Sequence, residues 1–167
     1  MDFFNQTGKM AIGSRLRMLT DKITNDAELI HKMYGIDIRA KWFPVFFVLS
    51  HGEAKTITAI AKEIGHSHPS VSNIVKEMVA RGIAKETKDK ADGRKNLIML
   101  SSKGEKMSEI LTEECFDMTV TIESILSATH NDLWRAIEEW ECLLSKESLL
   151  DRVKEVKRQR ESKDIKI

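Results

Sequence analysis

Two short apolar repeats separated by a glycine turn, over residues 56–82, constrain this chain more than any other feature. Ile57, Ile60, Ala61 and Ile64 recur at steps of three and four, so they share one helix face. Thr56 is placed to cap that helix. Gly65 is placed to end it, where a residue without Cβ turns left-handed at no steric cost. Ser67 caps a second helix, whose first turn tolerates Pro69 because the amide there has no partner to lose. Val71, Ile74, Val75, Met78 and Val79 form its apolar face, and Gly82 stops it. Two short helices joined by a tight glycine turn make a helix-turn-helix.

The outer face of the second helix carries Ser70, Ser72, Asn73, Lys76 and Glu77. Small hydrogen-bonding groups with a cation one turn on suit base edges and phosphates. Any amphipathic helix has a polar outer face, so this alone decides little. The residues beyond Gly82 decide more. Residues 83–87 and 96–100 read as strands, and the polar loop between them, with a turn at Asp92-Gly93, makes them a hairpin. A charged hairpin directly after a helix-turn-helix is a wing. From 76 to 106 there are nine Lys/Arg against five Asp/Glu, although the whole chain carries only +1. From 105 to 141 the balance reverses to ten Asp/Glu against two Lys/Arg. The basic stretch is expected to face a polyanion and the acidic one to point away from it.

At 167 residues the chain is expected to form a single domain with a substantial core. Its longest apolar run, residues 42–49, is too short to cross a bilayer, and its start carries no basic segment followed by an apolar core. A cytoplasmic protein with no membrane partner is the expectation. Cys115 and Cys142 are not spaced as a metal motif and read as two partly buried helix thiols. His66 and His68 lack the acidic or thiol neighbours a metal site needs. No nucleophile elbow, phosphate-cradling glycine loop or paired acid–base set is present, so neither an enzyme nor a cofactor is expected.

Around this centre the rest reads as helix. Ile12, Leu16, Leu19, Ile23, Ala27, Ile30 and Met33 repeat at helical spacing, ending at Gly35. A second helix begins just before Pro44 in the most hydrophobic segment, which belongs at the centre of the core. After the wing, Ser102 and Glu105 read as a capping box for a long helix that breaks near Ala128, with Asp132 among the residues offering a fresh cap. The last helix is expected to carry on through Leu149, Leu150, Val153 and Val156. The terminal helices supply more apolar surface than a small core needs, which predicts a homodimer with Phe3, Phe4, Leu133, Trp134, Ile137, Trp140 and Leu144 at its interface.

The residues after Gly82 carry a specific resemblance. Asp89, Asp92 and Arg94 in the wing, then Leu97-Ile-Met-Leu100 and Ser101-Ser-Lys-Gly104, resemble the wing and subsequent turn of MarR family winged-helix regulators over roughly residues 10–145. Ala91 stands where relatives carry a minor-groove arginine. The resemblance implies a mainly α fold with a small β-hairpin wing. Residues 54–104 would form a DNA-binding lobe, and residues 1–35 and 105–160 a helical dimerisation lobe. It also implies double-stranded DNA as partner, met by Ser67, His68, Ser70, Ser72, Asn73, Lys76, Lys88, Lys90, Arg94 and Lys95. Asp89 and Arg94 would brace the wing. The implied function is a transcriptional repressor on a palindromic operator. A small aromatic or anionic effector would be met by Arg15, His31, Trp42 and Phe46. Residues 1–153 are also similar to the first half of proteins that fuse a MarR module to an acetyltransferase, and the sequence stops where that enzyme would begin. A winged helix that binds protein rather than DNA is the alternative.

Overall fold

The computed structural model describes residues 3–89 and 92–162. Eight α-helices and one hairpin succeed each other among them. They are α1 (Phe3–Thr7), α2 (Ile12–Met33), α3 (Phe43–Ser50), α4 (Ile57–Glu63), α5 (His68–Ala80), β1 (Ala84–Lys88), β2 (Asn96–Leu100), α6 (Ser102–Ser127), α7 (Leu133–Lys146) and α8 (Leu149–Ser162). Short 3-10 turns precede α2 and α3. The chain divides into two compact units within α6, one ending at Asp117 and the other beginning at Met118. None of the described helices is long and apolar enough to cross a membrane.

The core lies in the first unit and is built around α3, as its sequence requires. Val45, Phe46, Val48 and Leu49 are buried, and Trp42 just before them is 1% exposed. Ile36 and Ile38 before α3, Ile60 and Ala61 of α4, the underside of α5, Ile83 and Ala84, Ile98 and Leu100 of β2, and Met107 and Leu111 of α6 complete it. The apolar spacing of both short helices thus becomes one shared hydrophobic floor, with each fully buried aliphatic side chain contributing about 1.5–3 kcal/mol.

The helix ends obey their cap residues. Thr56 accepts the Ala59 amide at 3.1 Å and Ser67 the Ser70 amide at 3.4 Å. Gly65 and Gly82 take φ of 67° and 68°. At the end of α5 the Ile83 amide reaches back to the Met78 carbonyl at 2.9 Å, closing a Schellman turn.

The hairpin pairs β1 and β2 antiparallel, from Ala84 opposite Leu100 to Lys88 opposite Asn96, one residue later in β1 than expected. Lys55, before α4, adds a one-residue bridge to Ile98 through two backbone hydrogen bonds of 2.8 and 2.9 Å. A single residue leaves no periodic trace in a sequence. The wing root is fixed by Ser101, not by a Ser102 box. Its Oγ accepts the Gly104 amide at 3.2 Å and donates to the Gly82 and Ile83 carbonyls. A Cβ on Gly104 would run into the Ile83 carbonyl and the Leu100 side chain.

Most apolar residues of α2 are exposed in the single chain, Ile23 at 55% and Met33 at 72%. One further expectation changes: in the second unit the last helix is two. Glu147 is extended, Ser148 accepts the Asp151 amide to start α8, and Arg152 donates to the Glu147 carbonyl and to the Leu143 carbonyl, which also accepts the Glu147 amide. Asp132 does cap α7, accepting the Arg135 amide at 2.9 Å.

Candidate nucleic-acid interface

Burial of Val71, Ile74, Val75 and Met78 settles which way α5 faces. Its opposite side exposes Ser67, His68, Ser70, Asn73 and Lys76, with Ser72 half-buried. The side chains of Ser70, Ser72, Asn73 and Lys76 make no hydrogen bond or ion pair with other described residues. Donors and acceptors held on a rigid helix with unused hydrogen-bonding capacity can meet base edges and phosphates.

Glu77 departs from that set. Its carboxylate receives Lys41 Nζ at 2.7 Å, Trp42 Nε1 at 2.8 Å and Arg39 Nη1 at 3.4 Å. The Lys41 and Trp42 hydrogen bonds hold its pKa below the ordinary carboxylate value, against a smaller opposing effect of burial. Trp42 is a core residue, and its N–H finds its partner here. Glu77 therefore clamps α5 to the segment before α3 and has little acceptor capacity left for a base. The sequence shows only a polar residue on a polar face. The signal that finds its partner is a tryptophan in an apolar run, which needs somewhere to put an N–H.

The wing turn is organised by Asp92. Its carboxylate accepts the Arg94 amide at 3.2 Å and Arg94 Nε at 3.1 Å, and lies 3.6 Å from Lys95 Nζ. These contacts, the Arg94 side chain first, hold Asp92 below its usual pKa. Asp89 accepts the Asp92 amide at 3.4 Å, and its own amide donates to the Lys95 carbonyl at 3.0 Å. The carboxylate receiving the Arg94 guanidinium is thus that of Asp92, where the resemblance points to Asp89. Gly93 is not among the left-handed glycines, so the Asp92 side chain makes the bend. Arg94 remains 92% exposed, Lys95 is exposed, and Lys88 donates across the strands to Asn96 at 2.7 Å. Lys90 and Ala91 lie outside the described residues.

Of the interface candidates, Phe3 and Phe4 meet edge to face, and Arg15 stacks on the Phe4 ring. Leu133, Trp134, Ile137, Trp140 and Leu144 are all exposed in the single chain, Trp134 at 63%. The effector candidates divide between separate surroundings. Trp42 and Phe46 are core residues, and Arg15 lines an open groove of about 460 Å³ with Phe4, Ile12 and Leu16. His31 is buried with Nδ1 2.6 Å from Glu114 Oε1, close enough for an ion pair but bent out of hydrogen-bond geometry. Cys115 is half-buried and burial pushes its thiol pKa up; Cys142 is exposed, not partly buried as expected.

A helix-turn-helix on a buried floor, with a braced hairpin and then a long helix after it, is a winged helix. The MarR family profile matches residues 34–95, which cover the helix-turn-helix, β1 and the wing turn but stop short of β2. No curated protein matches the sequence. Among solved structures, the chain is similar to a MarR family transcription regulator, SP03579, with 16% identity and TM-score 0.62, over 87% of this chain and 99% of that one. It is similar to the adhesin competence repressor AdcR of Streptococcus pyogenes, with 18% identity and TM-score 0.59, over 81% and 96%. It is also similar to the PcaV transcriptional regulator of Streptomyces coelicolor, solved with its natural ligand, with 14% identity and TM-score 0.56, over 78% and 91%. At these identities the likeness establishes the fold: mainly helical, with a two-stranded wing, of the MarR type.

Proposed function

We propose that this chain is a sequence-specific double-stranded DNA-binding transcriptional regulator, not an enzyme, and that it acts as a homodimeric repressor on a palindromic operator. The observation that carries the reading is the exposed face of α5. Ser70, Asn73 and Lys76 stand there with unused hydrogen-bonding capacity on a helix anchored from below by the core. In use, these side chains and Ser72 enter the major groove. Ser67 and His68 meet phosphate at the helix N-terminus, whose free amides favour an anion. Lys88, Lys90, Arg94 and Lys95 meet the backbone or the minor groove. The MarR profile match and the likeness to regulator structures support this reading.

One winged helix reads too few base pairs for a useful specificity ratio. A twofold pair reads half-sites about 34 Å apart. Exposed apolar side chains on α2 and α7, Leu16, Leu19, Trp134, Ile137 and Trp140 among them, support pairing. Light scattering of the protein with and without a cognate duplex tests this. The expected masses are a dimer alone and two protomers per duplex. A monomer at micromolar concentration that binds DNA one to one contradicts it.

Control by a small aromatic or anionic effector belongs to the same proposal, supported by PcaV having been solved with a natural ligand. Binding would shift the protein between states of different DNA affinity. Thermal-shift measurements with aromatic acids are expected to raise Tm for at least one of them, and no shift with any leaves the chain a regulator without that input.

A further inference from the structure

The clamp on Glu77 has a second side. Arg39 and Lys41 both reach one carboxylate, so two cations share a single negative charge next to the recognition helix. Their side chains stay about half exposed, 52% and 51%. Arg39 is held in place by stacking on the Trp42 ring, with the guanidinium carbon 5.6 Å from the ring centroid. Close by, Arg81 is paired with Asp37 at 3.5 Å, whereas the Arg39–Lys41–Glu77 cluster keeps one positive charge in excess.

Helical geometry places this charge. Ser70 and Glu77 are seven residues apart, almost two turns, and lie along one flank of α5. Ser72 and Lys76, four residues apart, lie along the other. A helix in a major groove has a phosphate strand on each side. Lys76 serves one flank. The segment 39–41 serves the flank of Glu77, which otherwise would present a bare carboxylate to a phosphate strand.

We infer that Arg39 and Lys41 form a phosphate-binding shelf, a DNA contact outside both the helix-turn-helix and the wing, with Glu77 holding it against α5. This inference rests on the DNA-binding reading above. Each cation takes a backbone phosphate on the Glu77 side of the groove, and the contact is indifferent to base sequence.

The test is the salt dependence of binding to a duplex that the wild type binds, and to a random duplex. Arg39→Gln and Lys41→Gln are each expected to weaken both duplexes alike, and to make the slope of log K against log salt shallower by about 0.9. Arg39→Lys restores the slope. Both cations are surface residues, and unchanged melting curves show that the Arg39 and Lys41 variants fold. If the wild type binds but the Gln variants keep the parental slope, losing affinity or discrimination only, the pair merely positions α5 and the shelf is overturned. If the wild type binds no duplex at all, the shelf falls together with the function it rests on.

Discussion

The buried indole of Trp42 and the Glu77 carboxylate meet at 2.8 Å, joining the centre of the core to the helix that would read DNA. Because Glu77 has its pKa lowered in the fold, chiefly by Lys41 and then by Trp42, its contribution to stability is present above its ordinary value of 4.5. That contribution is lost as pH falls through the lower folded value, since the unfolded chain binds the proton first. The wild type is therefore expected to melt above Glu77→Gln at neutral pH, with the gap closing below about pH 4.5. Melting curves from pH 7 downward measure this, and a gap that widens in acid contradicts it.

Gly104 is fixed by contact, not by an unusual backbone angle. The Ile83 carbonyl it faces already accepts the Ser101 amide at 2.9 Å and so cannot move aside freely. Gly104→Ala is expected to cost about 1–3 kcal/mol in urea denaturation through overpacking. Gly13 in α2 has open space around it, so Gly13→Ala is expected to stabilise by roughly 0.5–1 kcal/mol. Equal effects at the two sites contradict the packing argument.

Asn73 and Lys95 are expected to fail differently. Asn73→Ala removes a base-edge donor and acceptor, costing about 1–3 kcal/mol of discrimination between operator and random duplex. Lys95→Ala weakens all duplexes alike and flattens the salt dependence. Paired titrations at several salt concentrations separate these effects, and a common scaling of affinity by both variants refutes the division of roles.

The legible parts of the fold are those that leave a periodic or capping mark on the chain. The apolar spacing in α4 and α5, Thr56, Ser67, Gly65 and Gly82 each encode a local geometry, and each appears in the fold. The hairpin was legible because two β-prone runs flank a charged turn. What escaped was tertiary. The Glu77 carboxylate crosses 36 residues to Lys41, and Lys55 completes the sheet with one residue. The true helix cap, Ser101, was hidden because Ser102 beside it has the same chemistry and better spacing to Glu105. The recognition face was legible as residues, but not the fact that one of its five members is withdrawn from it.

The central claim is that the exposed face of α5 and the wing together read duplex DNA. A mobility-shift titration against DNA flanking the protein's own gene, with a random duplex of equal length as competitor, tests it most directly. A saturable complex that survives excess random competitor and weakens steeply with salt is the expected result. Binding to neither duplex, or equal binding to both, contradicts it.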